Sequence, residues 1–166
     1  MAATYLLTLY PASLGAFGMT ATTVRALLMH TNYRYSIKDD SGEKLLTFPY
    51  DPKQVIKGKE IEVGIAFRTY RAYENSKEWT AITLPFVFCM SLYGSSIPYV
   101  TERMNRWVVG ITSLGWCVGN FMYCSGYKSS NEERMPGFKI RTLCARIFMY
   151  GSCAGLLCYG GKKLIN

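Results

Sequence analysis

Apolar positions along the chain gather into four blocks, residues 5–29, 79–100, 107–124 and 142–161, separated by polar segments. A helix crossing a hydrocarbon core about 30 Å thick needs roughly 20 mostly apolar residues, and each block reaches or approaches that length. The pattern predicts an all-α membrane protein: a four-transmembrane-helix bundle forming a single domain over residues 1–166. The expected helices cover about 3–32, 62–94, 98–127 and 137–160, with a long polar loop between helices 1 and 2. A greasy water-soluble bundle is the competing reading, but four such blocks leave little polar surface to wrap them. No basic segment precedes the first block and no small-residue cleavage site follows it, so it reads as a retained spanning helix rather than a signal peptide.

The polar segments are turn chemistry. Residues 31–66 hold "DDSG", "YDP" and "KGK", "YGSSIP" at 93–98 reads as a short turn, and "GYKSSNEERMPGF" at 126–138 reads as a second polar loop. A connection as long as 31–66 is normally functional or held by a partner. Lysine and arginine number eight in residues 31–72 and five in 126–146 (Lys128, Arg134, Lys139, Arg141 and Arg146). The other side carries four, Arg103, Arg106, Lys162 and Lys163. Thirteen against four orients the two long loops toward the cytosol or matrix and both termini to the opposite side of an endoplasmic reticulum or mitochondrial membrane.

Composition agrees with this and removes other classes. Charged residues are 18%, below the roughly 25% of soluble domains. The net charge of +8 comes without a basic stripe interleaved with aromatics, which argues against nucleic acid. The six cysteines (Cys89, Cys117, Cys124, Cys144, Cys153 and Cys158) all fall in apolar blocks without metal-ligand spacing, so they read as small buried hydrophobes and no metal is expected.

Candidate chemistry sits where the second block begins. In "FRTYRAYENSKEW" (67–79), Arg68, Arg71, Asn75 and Glu78 are spaced 3, 4 and 3 apart, which puts them on one helical face. Ionisable groups at the edge of a membrane span face a bundle interior or a wet cavity and mark function by default, although a structural ladder between helices explains the spacing equally well. Tyr123 and Tyr127, four apart, end the third block, and Arg134 follows in the loop. Boundary tyrosines are also ordinary interfacial anchors. His30, the single histidine, lies at the end of the first block, where a helix C-terminus favours it.

These two sets together resemble the membrane-associated proteins in eicosanoid and glutathione metabolism. "FRTYRAYENSKEW" is similar to the family's motif of two arginines, an asparagine and a glutamate. "YCSGYKSSNEERMPGF" is similar to the end of its third helix and the loop after it. The resemblance covers most of residues 64–160, and the first helix more weakly. It implies a homotrimeric, membrane-lipid-embedded glutathione transferase or peroxidase, with glutathione as co-substrate bound between subunits near the cytosolic face. Arg134 then matches the residue that activates the thiol. Arg68, Arg71, Asn75, Glu78, Tyr123 and Tyr127 match positions that hold glutathione, and His30 stands where it replaces a lost arginine. The chain departs from catalytic members at His30–Thr31, where they carry an arginine pair, at Tyr73 within the motif, at Pro85, one turn later than their proline, and in the length of 31–66. Two alternatives follow from those departures: a non-catalytic accessory subunit of a larger membrane complex that keeps the family fold, and a lipid-binding scaffold.

Overall fold

The computed structural model describes residues 2–37, 60–130 and 132–165. They form four α-helices, α1 (Ala2–Ser36), α2 (Glu60–Tyr93), α3 (Glu102–Ser129) and α4 (Met135–Ile165), with one 3-10 turn at Gly94–Ser96 and no strand among the described residues. The helices run up, down, up, down. Thr23 meets Thr80 and His30 meets Thr69, so α1 and α2 are antiparallel. Thr22 meets Asn120 and Arg25 meets Ser125, so α1 and α3 are parallel.

α1 and α4 outrun the expected ranges, α2 starts two residues early, and α3 starts four residues later than expected, at Glu102. Six residues assigned to the first loop, 31–36, continue α1, and residues 60–66 already belong to α2; residues 38–59 of that loop lie outside the described residues. The second expected loop, 126–138, shrinks to 130–134, because residues 126–129 finish α3 and α4 begins at Met135; Lys139, Arg141 and Arg146 lie inside α4, within the expected fourth helix. At 1.5 Å per residue even the 28-residue α3 spans about 42 Å. Length is therefore met by all four helices. Length and apolarity together are met, among the described residues, by α4 alone. α2 is charged as far as Glu78, and α3 carries Glu102, Arg103 and Arg106 in its first turns.

The radial distribution of side chains is inverted relative to a water-soluble bundle. Thr69, Ser76, Thr80, Thr83, Asn105, Thr112, Asn120, Arg141 and Ser152 are buried. Large apolar side chains point outward along every helix: Leu14, Phe17 and Leu28 on α1, Ile82 and Leu92 on α2, Trp107, Ile111 and Leu114 on α3, and Leu143, Tyr150 and Leu157 on α4. A smaller apolar core, built around Met19, Val87, Val109, Trp116 and Phe148, fills the middle of the bundle. Contiguous exposed apolar surface on this scale marks contact with something other than water.

Small residues let the backbones approach. At the α3–α4 crossing, a Cβ on Gly119 would lie 2.7 Å from the Arg141 amide nitrogen, and one on Gly137 would lie 2.6 Å from the Gly119 carbonyl oxygen. Both contacts are to backbone, so no side chain can swing aside. At the other end of the bundle Asn105 Nδ2 donates to the carbonyls of Met90 (3.0 Å) and Ser91 (3.2 Å), closing the C-terminus of α2 onto α3. Thr101 caps α3 by accepting from the Met104 amide.

Gly137→Leu should therefore cost about 1–3 kcal/mol or more by overpacking against backbone. For a chain of this size that lowers the thermal midpoint by roughly 2–4 °C per kcal/mol. Gly110, where an added Cβ meets nothing within 4 Å, is the control. Gly110→Ala should leave the midpoint unchanged or raise it, as measured by thermal denaturation of the purified protein; equal losses in the two variants would contradict this packing.

Candidate functional site

The inward face of α2 follows the helical period through Ala66, Thr69, Ala72, Ser76, Thr80 and Thr83. Ser76 lies at the level where all four helices meet around Asn120. The Asn120 amide nitrogen donates to Thr22 Oγ1 on α1 at 3.3 Å. Its carbonyl oxygen lies 3.0 Å from Ser76 Oγ on α2 and accepts from Arg141 Nη1 on α4 at 2.8 Å. The Ser76 hydroxyl also lies 2.8 Å from the Ala72 carbonyl, so its single proton serves one acceptor at a time. One residue from each helix thus joins a single buried cluster.

Arg141 is the unusual member. Its residue exposure is 0%, and no carboxylate pairs with it among the described residues. The positive charge is met instead by aromatic faces, with the guanidinium carbon 4.1 Å from the Tyr123 ring centre, 5.3 Å from Trp79 and 6.0 Å from Phe138. Arg141 Nε and Nη2 have no hydrogen-bond partner. Burying a guanidinium with open donors is costly, and each orphaned donor calls for a physical explanation.

A cavity of about 230 Å3 lies beside this group between α2, α3 and α4, separated from the two open donors, which are themselves fully buried. Asn75, Trp79, Tyr123, Arg134, Phe138 and Arg141 line it. Asn75 Nδ2 donates to Tyr123 Oη at 3.0 Å. Arg134, half-buried at the start of α4, lies 4.4 Å over the Tyr127 ring, and Tyr127 packs edge-on against Tyr123. Two guanidinium groups and no acid make this a positive cavity with low-dielectric walls, a setting in which an anion is stabilised far more than at an open surface.

Four of the residues expected from sequence meet here: Asn75, Tyr123 and Arg134 on the cavity wall and Tyr127 beneath Arg134. The others do not. Arg71 and Glu78 are exposed and point away from the bundle, so the expected inward stripe is displaced. The 3-4-3 spacing does share a face, but the neighbouring face with Thr69, Ala72 and Ser76 is the one that packs, because small side chains allow helices to close while a guanidinium does not. Arg68 instead donates from Nε to the Lys128 carbonyl at 3.3 Å, at the C-terminus of α3. His30 is buried between α1 and α2 beside Thr69 and the Tyr70 ring, away from the cavity, and acts as a packing residue. All six cysteines are free; Cys124 and Cys144 are buried as expected, but Cys153 is exposed on an outer face. No cluster suited to a metal ion occurs among the described residues.

Sequence reasoning missed Arg141 as a site residue, counting it only among the basic residues that orient the bundle. The signal was present: Gly137, Arg141, Cys144 and Phe148 repeat at 4, 3 and 4 residues, the register of a buried helical face. Trp79 and Phe138 were missed because nothing distinguishes a cavity aromatic from a core aromatic in one sequence. No protein-family model matches the chain, and no curated protein matches it.

The network makes an asymmetric prediction. Asn120→Ala strips Arg141 of its one hydrogen bond and should cost about 3–5 kcal/mol, as when one partner of a buried charge is removed. Arg141→Met keeps the volume, removes the charge and should be near neutral. The double variant should regain most of the loss, which thermal denaturation of the four proteins would show as a coupling of several kcal/mol. Additive losses would contradict the network.

Proposed function

We propose that the chain is a membrane-embedded glutathione transferase of the family its motifs resemble. The observation that carries this reading is the positive cavity lined by Arg134 and Arg141 together with Asn75 and Tyr123. The membrane part rests on the outward apolar faces together with small and polar residues between helices, which is how helices associate in lipid. At about 230 Å3 the cavity falls below the roughly 300–1,000 Å3 of complete small-molecule sites. It therefore takes one end of the tripeptide, and the remainder lies along the outward face where Arg71 and Glu78 have no partner among the described residues. A second copy of the chain packed on that face completes the site, consistent with a homotrimer.

The chemistry follows from charge. A thiolate attacks and a thiol does not; a free thiol ionises near about pH 8.5. Arg134 at the cavity mouth stabilises the anion, and each unit of depression takes about 1.4 kcal/mol. Arginine suits this because it keeps its charge in a poorly hydrated site. The thiol proton leaves to water, the sulfur forms a bond to the electrophilic carbon, and the leaving group departs with its electron pair. Arg141 acts from behind Tyr123: it fixes the ring whose hydroxyl accepts from Asn75 and adds a permanent positive field. Lipophilic electrophiles reach the cavity from the bilayer.

The test is conjugation of glutathione to 1-chloro-2,4-dinitrobenzene by the purified protein. Wild type should turn over, and Arg134→Ala should fall by about tenfold or more at pH 7, with the gap narrowing towards pH 9 as the thiol ionises unaided. Arg134→Lys should retain part of the rate. Equal rates in wild type and Arg134→Ala would contradict the assigned role, and glutathione binding without turnover would favour an accessory subunit instead.

A further inference from the structure

A second, larger cavity lies at the opposite end of the bundle. It measures about 530 Å3, within the range of ligand sites, and runs between the N-terminal halves of α1 and α3. Its walls are apolar, with Tyr10 and Leu14 on α1 facing Trp107 and Leu114 on α3, and Gly110 leaves room between them. Two arginines, Arg103 and Arg106, stand one turn apart at its rim, in the first turns of α3. Neither makes an ion pair or hydrogen bond among the described residues. On its wall sits Ser113, 3% exposed, whose hydroxyl has no partner.

We propose that this groove is a binding site for one anionic glycerophospholipid, with an acyl chain between α1 and α3 and the phosphate at Arg103 and Arg106. Two features select that occupant. An apolar slot with charge only at its mouth matches an amphiphile and not a soluble anion. The charge is positive and unpaired, so the headgroup is anionic. Two arginines near a membrane surface attract an anionic headgroup by about 2 kcal/mol, roughly a thirtyfold preference. The proposal shares with the transferase reading only its membrane placement; it does not depend on chemistry at the polar cavity.

Trp107 lines the slot and is 64% exposed, so it reports occupancy directly. The experiment reconstitutes the full chain into phosphatidylcholine vesicles and replaces a rising fraction of the lipid with brominated phosphatidylglycerol or brominated phosphatidylcholine. The signal is the tryptophan quenching that Trp107→Phe removes. The expected result is half-maximal quenching at about a thirtyfold lower fraction of the glycerol lipid. Arg103→Ala/Arg106→Ala should bring the two lipids to parity, and Gly110→Leu, which fills the slot, should abolish the saturable part. Equal quenching by both lipids in wild type would overturn the headgroup selection. Displacement by inorganic phosphate would overturn the amphiphile. No quenching by either lipid would mean that protein or water covers this face, overturning the proposal together with the membrane placement.

Discussion

Everything at the polar end of the bundle depends on one hydrogen bond, from Arg141 Nη1 to the Asn120 carbonyl oxygen at 2.8 Å. It carries a full positive charge into a site with no carboxylate. Without Asn120 that charge has only aromatic faces to lean on. With it, Asn120 is held by α1 and α2 as well, so the charge sits in a hub to which each helix contributes. A buried charge is weak evidence of stability, because apolar residues of the same volume usually serve at least as well. Its presence at the wall of a cavity is better understood as a functional cost. The uncompensated field that makes Arg141 expensive in the empty protein is what an anion in the neighbouring cavity would relieve.

The same logic organises the rest of the interior. Close backbone approach at Gly119 and Gly137 brings α4 near enough for Arg141 to reach Asn120. Hydroxyl and amide side chains line the remaining helix contacts, and the apolar residues they displace appear on the outside. The bundle therefore has two ends of different character. One is a compact positive cavity suited to a small anion. The other is a wider apolar slot with charge only at its rim. Both use arginines without acidic partners, and they differ in how deeply those arginines are buried.

The sequence made some of this legible. Four apolar blocks correctly predicted four helices, although each helix extends about ten residues beyond the length of its block into polar sequence. Asn75, Tyr123, Tyr127 and Arg134 were recognisable from spacing and motif, and they do come together. The direction of the α2 stripe was not. Residues at 3-4-3 spacing define a face but not which way it looks, and the decision belonged to the smaller residues Thr69, Ala72 and Ser76 beside it. Arg141 was misjudged because it was counted with Lys139 and Arg146 as an orienting charge at the start of the fourth helix, although only it falls on the buried register with Cys144 and Phe148. His30 looked like a ligand for its chemistry alone, and its position between α1 and α2 removes it from the cavity.

The central claim is that the buried, acid-free guanidinium of Arg141 makes the polar cavity an anion site. Titration calorimetry of glutathione into the purified wild type and Arg141→Met measures it most directly. The account predicts saturable binding in wild type, and affinity reduced by about tenfold in a variant that remains folded, since a lost unit charge at a poorly hydrated site is worth roughly 1.4 kcal/mol or more. Binding of equal strength in the two proteins, or no binding in wild type, would contradict it.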